Sequence, residues 1–285
     1  MIKILVTGGN GQLASCIKDL EKSYNSLKFI YTDYQELDIT DLEAIDLYFK
    51  NNPVNYCINC AAYTSVDQAE KEQKKVAKIN EIGVKNLASV CEKRNSTLIH
   101  ISTDFVFNGR KSSIYNENDV TDPLSVYGET KRNGEIQIQN HLTKYFILRT
   151  SWLYSEHGNN FMKTMIKLSQ EKSQLSVVAD QIGTPTYATD LASVILKLIS
   201  LKNTQYGIYN YSNEGVASWC DFAKAIFEET GSKIKLVPIK TVDYPTLAKR
   251  PQFSVLDKTK IKRTFLLEIP HWRDSLKKAL SKYYV

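Results

Sequence analysis

Short apolar segments alternate with helical stretches throughout the first 150 residues, and this alternation restricts the fold more than any other feature of the chain. Strands that alternate with helices form βαβ units, whose strands pair in parallel. The apolar runs are continuous, as is typical of strands buried on both faces. The predicted strands are 3–7, 28–32, 56–60, 97–102 and 145–149, and the predicted helices are 12–21, 41–50, 76–93 and 127–139.

These elements predict an α/β fold with a doubly wound, Rossmann-like parallel sheet and right-handed crossovers. The rhythm changes after Thr150, where the predicted helices 160–172, 191–201 and 219–230 are separated by turn-rich segments. We therefore expect one domain over 1–150 and a smaller α+β region over 151–285. Segments near 180–212 are expected to return to the first domain.

Charge and apolar content exclude several classes of partner. Lysine and arginine number 37 against 31 aspartates and glutamates, and the net charge of +6 is too diffuse to indicate nucleic-acid binding. The most apolar later segment, 191–201, is shorter than the ~20 residues of a membrane helix. Five cysteines, an odd number, without an export signal predict the reducing cytoplasm. We expect neither a nucleic acid nor a membrane as partner.

Two short patterns each allow a functional and a structural interpretation. Cys57 and Cys60 form a C-x-x-C, which suits a metal or redox pair, or two small apolar residues of a strand. The four histidines are scattered and no second pair exists, so we favour the strand and predict no metal site. The second pattern is a short basic cluster of Lys71, Lys74, Lys75 and Lys78. Because acidic residues are interspersed with these lysines, we favour a solvated helix face.

A glycine turn lies between the first predicted strand and helix, with the spacing G-x-x-G-x-x-A. Gly8 permits the tight turn, Gly11 leaves room for a pyrophosphate, and Ala14 lets the helix pack closely on the sheet. The free N–H groups and dipole of the helix start attract phosphates. In this context the turn predicts a dinucleotide site, and we favour that over a merely flexible loop.

Acidic residues after the second strand are candidates for the adenosine end of the cofactor. Asp33 can accept hydrogen bonds from an adenosine ribose, which favours NAD over a 2′-phosphate. Asp38 and Ile39 could hold the adenine, although helix-entry polarity explains Asp38 almost as well. The choice between NAD and NADP stays open at this point.

A tyrosine, a lysine and a threonine could carry carbonyl reduction. Tyr127 and Lys131 form Y-x-x-x-K and share one helix face. A lysine cation there is expected to lower the tyrosine pKa, so that the phenol can protonate a carbonyl oxygen as hydride reaches the carbon. Thr103, at the end of a central strand, could bind the same oxygen or simply cap the following turn.

Together these motifs resemble the extended short-chain dehydrogenase/reductase superfamily. Longer segments narrow the resemblance to the dTDP-4-dehydrorhamnose reductase family over nearly the full length of the chain. They are 59–70 (NCAAYTSVDQAE), 102–109 (STDFVFNG), 149–154 (RTSWLY), 160–161 (NF), 180–186 (DQIGTPT) and 250–257 (RPQFSVLD).

The resemblance implies a role for each matching residue. Tyr127 would donate the proton with Lys131 as its partner and Thr103 assisting, and the sugar nucleotide would contact Thr103, Asp104 and Trp152. NADPH, with NADH tolerated, would be held in domain 1–150 by Gly8, Gly11, Gln12, Leu13, Asp33, Asp38, Ile39, Ala62, Tyr63, Thr64, Tyr127 and Lys131.

The reaction implied is reduction of the C4 ketone of dTDP-4-dehydro-6-deoxy-L-mannose (dTDP-4-dehydro-L-rhamnose) to dTDP-L-rhamnose, for cell-surface polysaccharide. Cys16 and Thr189 stand where some members place glutamates at a magnesium-linked dimer interface, so neither that metal nor that dimer is carried over. A homodimer is possible. Region 151–285 would mainly bind the substrate, and in it Lys249 and Arg250 are candidates for the substrate diphosphate or are exposed loop charges.

Two other functions remain open. One is a reductase or epimerase of another nucleotide-activated deoxysugar, and the other is a non-catalytic dinucleotide-binding regulatory subunit. The complete Thr103, Tyr127 and Lys131 set favours an enzyme.

Overall fold

The computed structural model describes residues 1–284, and its centre is a parallel sheet of six strands. Across the sheet the order is β10-β5-β4-β3-β1-β2. The strand order reverses between β1 and β3, and open α/β sheets bind ligands at the carboxyl ends of strands beside such a point. The strands are β1 (Ile2–Thr7), β2 (Leu27–Thr32), β3 (Tyr56–Asn59), β4 (Thr97–Thr103), β5 (Tyr145–Thr150) and β10 (Gly207–Asn210).

Helices cover both faces of the sheet, which confirms the predicted fold class. Alternate residues of a strand point to opposite faces, so Ile4 and Val6 join one apolar cluster and Leu5 joins the other. The first cluster is closed by α1 (Gln12–Leu20), α8 (Ala188–Ser200) and α10 (Thr259–Phe265). The second is closed by α2 (Leu42–Asn51), α5 (Val84–Lys93) and α6 (Val126–His141).

All five predicted strands are confirmed to within one residue at either end. The predicted helix 76–93 is instead α4 (Gln73–Ala77), a π-helical turn over Lys78–Gly83, and α5. The turn carries Asn80, whose side chain binds the backbone of Tyr63 in the preceding loop. This loop follows β3 and contains the short helix α3 (Val66–Ala69).

A second layer packs around α7 (Phe161–Glu171), α9 (Trp219–Glu229) and α11 (Trp272–Tyr283). Beside it lie three strand pairs, which are β7 (Gln174–Val178) with β12 (Lys235–Ile239), β6 (Leu153–Tyr154) with β9 (Thr186–Tyr187), and β8 (Ile182–Gly183) with β11 (Ala217–Ser218). Between these segments the chain returns to the main sheet, because α8 packs on α1 and β10 pairs with β5. The division into two domains stays a prediction.

No helix within residues 1–284 is both long enough and apolar enough to cross a membrane.

Candidate active site

The glycine turn between β1 and α1 forms a cradle for a dinucleotide. Gly8 has φ +65°, and a Cβ there would lie 2.7 Å from the Ala61 nitrogen, so no other residue fits without movement. Gly11 is the N-cap of α1, and no side chain caps the helix start. The first N–H groups of α1 are therefore available to phosphates, and the residues present fit a pyrophosphate.

A cavity of about 530 Å³ continues from this turn along the carboxyl ends of β1 to β3. It brings together half of the predicted cofactor residues, namely Gly8, Gly11, Asp33, Asp38, Ile39 and Ala62. All four lysines of the basic cluster are exposed, as predicted for a solvated helix face, and Lys75 and Lys78 line the cavity as well. Their spacing of three residues, which puts both on one helix face, was the available signal.

Asp33 shapes the turn as well as lining the cavity. One of its carboxylate oxygens accepts a hydrogen bond from the Asn10 N–H at 2.8 Å, and the other accepts one from the Tyr34 N–H at 2.7 Å. Each oxygen keeps a further lone pair, so Asp33 holds the turn and can still accept a hydrogen bond from a ribose hydroxyl.

Other predicted cofactor residues do not line this cavity. The Gln12 side chain binds the Leu153 carbonyl and Asn160, and the Leu13 side chain is buried in the core. Gln12 and Leu13 could therefore bind a phosphate only through their backbone N–H groups at the start of α1. Tyr63 is held through its backbone and hydroxyl, and Thr64 is exposed. These four binding roles remain predictions.

The three predicted catalytic residues lie where β4 ends and α6 begins. Thr103 is the last residue of β4, and its hydroxyl caps the next turn by accepting the Phe105 N–H at 3.2 Å. α6 begins against that turn, since a Cβ on Gly128 would overlap the Phe105 carbonyl oxygen. The Tyr127 ring consequently packs edge-on against Phe105, 5.7 Å between centroids, beside Thr103.

The pKa of Tyr127 is shifted in the direction opposite to the predicted one. Burial raises its pKa to about 12, while the Thr103 hydroxyl acts in the opposite direction. The Lys131 amine instead donates to the Ile101 carbonyl at 2.6 Å and lies 3.2 Å from Nε2 of His100. The expected lowering of the tyrosine pKa by lysine is therefore wrong for this structure, because the amine is bound elsewhere and burial outweighs it.

The two residues predicted to contact the substrate, Asp104 and Trp152, follow β4 and β5 at the same edge of the sheet, and their substrate role stays a prediction. Asp104 is buried, and its Oδ2 has no hydrogen-bond partner among the described residues. Burial raises its pKa to about 6. Trp152 follows β5 with φ +45°, and its ring stacks on Trp219 at 3.6 Å between centroids. Sequence reasoning missed Trp219, since nothing local links α9 to the end of β5.

A second cavity, of about 850 Å³, lies in the second layer and was not predicted. Its walls include Phe161, Trp219, Tyr244 and Arg250. The Arg250 guanidinium is bound to the Asp67 carboxylate at 2.6 Å, which joins this cavity to the loop after β3. Arg250 is thus placed at a cavity rather than on an open loop.

One group of potential metal ligands was also missed, and it consists of Asp19, Glu156 and His157. All three have protein partners: His157 Nε2 lies 2.6 Å from Asp19, and Glu156 accepts a hydrogen bond from the Tyr187 hydroxyl. No such group includes Cys57 or Cys60 within residues 1–284. The absence of a metal remains a prediction.

The fold and the site together define an NAD(P)-dependent oxidoreductase of the short-chain dehydrogenase/reductase class. Two features identify this class, namely the glycine cradle and the set of Thr103, Tyr127 and Lys131 at the carboxyl edge of the sheet. Within this class, the chain belongs to the RmlD substrate binding domain family, whose model matches residues 2–285.

Relatives with solved structures or curated names agree with this family. A dTDP-4-dehydrorhamnose reductase of Aggregatibacter actinomycetemcomitans is 44% identical, over 97% of this chain and 98% of that protein. The structure of a dTDP-4-dehydrorhamnose reductase from Clostridium acetobutylicum superposes with TM-score 0.95 and 42% identity, covering 100% of both chains. That of the Bacillus anthracis enzyme in complex with NADP has TM-score 0.94 and 39% identity, covering 99% of this chain and 100% of that one.

Proposed function

We propose that this protein reduces the C4 ketone of dTDP-4-dehydro-L-rhamnose to give dTDP-L-rhamnose, with NADPH preferred and NADH tolerated. The names of the relatives support the substrate. The observation that carries the chemistry is Tyr127 beside the Thr103 hydroxyl where β4 meets α6, with Lys131 one helical turn further along.

The protein's part in the reaction is to supply and control one proton. NADPH, when bound, supplies the hydride that reaches C4 of the sugar. Tyr127 is protonated at neutral pH, since its pKa is raised to about 12, so it can give its phenolic proton to the ketone oxygen. The Thr103 hydroxyl donates its one proton to Asp104 Oδ1 at 3.1 Å, and on turning to the phenolate that remains it would stabilise that charge, the direction in which it already lowers the pKa of Tyr127. Solvent then returns the proton to the phenolate.

The sugar nucleotide would bind at the second cavity, whose wall residue Trp219 stacks on Trp152. The Asp104 carboxyl beside Thr103 can accept a hydrogen bond from a sugar hydroxyl, and the Trp152 ring offers a flat apolar surface. The second cavity has the volume of a nucleotide-sized ligand site, and Arg250 on its wall can bind the diphosphate.

The experiment is an assay of the purified protein with dTDP-4-dehydro-L-rhamnose and each reduced cofactor, followed by loss of nicotinamide absorbance and NMR of the product. Other dTDP- and GDP-4-keto sugars serve as competitors. We expect dTDP-L-rhamnose, and a kcat lowered roughly 10²–10⁴-fold in Tyr127→Phe, since that is the usual value of general acid help. Tyr284→Phe, an exposed tyrosine of the last turn, is the matched control.

Preferred turnover of a different keto sugar would refute the substrate, and full activity in Tyr127→Phe would refute the mechanism. A cytoplasmic location belongs to the same proposal, and the five cysteines are free thiols, as a reducing compartment requires. A homodimer stays a prediction.

A further inference from the structure

Arg250 reaches the second cavity from segment 246–250, which is tied to a distant part of the chain. At its centre, the buried Ala248 accepts hydrogen bonds at its carbonyl from the Thr246 hydroxyl at 2.9 Å and from Arg250 Nη1 at 3.3 Å. The Ala248 N–H donates to Oδ1 of Asp67 at 3.1 Å. Asp67 belongs to α3 in the loop after β3, so a single carboxylate ties the backbone of this segment to that loop.

The same carboxylate binds one edge of the Arg250 guanidinium. Oδ2 of Asp67 lies 2.6 Å from Nη2 of Arg250, and Oδ1 lies 3.2 Å from Nη1. Two such bonds fix the plane of the guanidinium as well as its distance from the carboxylate. The hydrogen bond from Arg250 lowers the pKa of Asp67, so the carboxylate is ionised at neutral pH.

The other edge of the Arg250 guanidinium keeps two N–H groups available. A guanidinium carries five N–H groups. Those on Nη1 donate to Asp67 and to the Ala248 carbonyl, and one on Nη2 donates to Asp67. The second N–H of Nη2 and the N–H of Nε have no hydrogen-bond partner within residues 1–284. These two nitrogens share one edge, which can bind two oxygens of a phosphate group at once.

This second edge is the one that remains for the cavity. Arg250 lies on the cavity wall, whereas Asp67, which occupies the first edge, does not. The wall contains one further cation, the exposed Lys172 at the end of α7. An ammonium group is a point charge without a fork of donors, so Arg250 is the cation of this wall that can bind a phosphate with two parallel hydrogen bonds.

We infer that Asp67 is a positioning residue for the substrate diphosphate, because it holds one edge of Arg250 and so presents the other edge to a nucleoside diphosphate in the second cavity. The inference rests on the proposed function, in which Arg250 binds the diphosphate. Asp67 itself touches neither the substrate nor the cofactor, and it acts through Arg250.

Orientation and charge act on the diphosphate in opposite directions. A guanidinium that is already oriented loses less side-chain freedom when the ligand binds. The negative charge of Asp67, in contrast, weakens the attraction between Arg250 and an anion. The Asp67 side chain is 41% exposed, so water screens its charge, and we expect the effect of orientation to be the larger one.

The direct test is calorimetric titration of the full-length protein, with NADP bound, by dTDP and by thymidine. We expect Asp67→Asn to raise the Kd of dTDP about tenfold, as for a weakened charged hydrogen bond, and to leave that of thymidine within about twofold, because thymidine has no phosphate. If Asp67 acted only by its charge, the Kd of dTDP would fall. A fall, an unchanged value or an equal loss for thymidine would overturn the inference.

Glu171→Gln is the matched control, since it removes one negative charge from an exposed ion pair of α7, a helix that contributes to the same cavity wall. Both Kd values should stay within about twofold of those of the unaltered protein. A tenfold rise for dTDP in this control would show that any loss of negative charge weakens binding, which contradicts a specific role of Asp67.

A double-variant cycle tests whether Asp67 acts through Arg250. We expect Arg250→Ala to raise the Kd of dTDP roughly 10–100-fold, and the combination with Asp67→Ala to bind dTDP no more weakly than Arg250→Ala alone. Losses that add would show a separate role for Asp67 and refute the inference.

Arg250→Lys tests the free edge without altering Asp67. Lysine keeps the charge and can pair with Asp67, but it has no second edge, so we expect a loss of dTDP affinity close to that of Arg250→Ala. Undiminished affinity in Arg250→Lys would refute the role of the second edge, whatever the stability of the Asp67 variants.

Steady-state kinetics provide a readout that a general loosening of the fold would not reproduce. Asp67→Asn should raise KM for the sugar nucleotide about tenfold and keep kcat within about twofold, because the Tyr127 and Thr103 hydroxyls are unaffected. A lower kcat with an unchanged KM would contradict a positioning role at the diphosphate.

These outcomes distinguish the inference from the proposed function. A protein in which Asp67→Asn weakens dTDP binding as expected, but which reduces no keto sugar, would refute the proposed function alone. An active reductase in which Asp67→Asn leaves dTDP binding unchanged would refute the inference alone. A protein that does not bind dTDP would refute both.

Discussion

The buried ion pair behind the active site should carry a large and measurable part of the stability. Arg149 and Glu135 are joined by Nη2 at 2.7 Å and by Nε at 3.0 Å, and their side chains are only 4% and 3% exposed. Glu135 also accepts a hydrogen bond from Ser102. Glu135→Gln keeps the shape and leaves the arginine charge without a counter-ion, which costs about 3–5 kcal/mol for a buried pair.

A loss of that size is a large fraction of the 5–15 kcal/mol typical of a folded protein, so urea unfolding followed by circular dichroism will resolve it. Removing the charge as well, in Glu135→Gln with Arg149→Met, should restore roughly 1–3 kcal/mol relative to the single variant. Glu129→Gln, an exposed position of the same helix, should change stability by less than about 0.5 kcal/mol.

The reasoning would be refuted if Glu135→Gln cost under about 1 kcal/mol, or if the double variant were as unstable as the sum of the two single variants. The same substitution has a second consequence at the active site. Glu135 raises the pKa of Lys131, so its neutralisation should move that pKa further below about 8, visible in the pH dependence of kcat/KM.

Three further predictions concern the cavities. Gly8→Ala places a Cβ 2.7 Å from the Ala61 nitrogen at a positive φ, and we expect NADPH affinity, measured by fluorescence titration, to fall at least about tenfold. Burial raises the pKa of Asp104 from 3.8 to about 6, so its ionisation costs stability that grows between about pH 4 and pH 6 and is fully present above pH 6. Asp104→Asn should therefore stabilise the protein by up to roughly 3 kcal/mol at neutral pH and by little below pH 4, with loss of activity. Trp219→Ala should raise KM for the sugar nucleotide about tenfold with kcat little changed, because Trp152 loses its stacking partner, and Trp219→Phe should restore most of it.

The fold was predictable because its signals are local. Each buried strand is a short apolar run. The side chains of Ile4, Leu5 and Val6 point alternately to two covered faces, so every position of the run has to be apolar. The glycine turn was equally local, since Gly8 takes the chain from β1 into α1 at a positive φ; the close approach of Ala61, which follows another strand, was not readable in the same way.

Contacts between distant segments could not be predicted in the same way. His100 looked like one of four scattered histidines, and its partners on β3 and α6 follow from strand register. Asp67 and Arg250 are 183 residues apart, and no spacing rule joins them. The tyrosine pKa was misjudged for a related reason, because Y-x-x-x-K gives a shared helix face but neither the burial of Tyr127 nor the other partners of Lys131.

The most direct test of the central claim is a crystal structure of the protein with NADP and dTDP-L-rhamnose bound together. The account predicts the sugar O4 within hydrogen-bonding distance of the Tyr127 hydroxyl and the Thr103 hydroxyl, with the nicotinamide facing C4. A sugar bound elsewhere, or a nicotinamide ring far from the phenol with no space for a sugar between them, would contradict it.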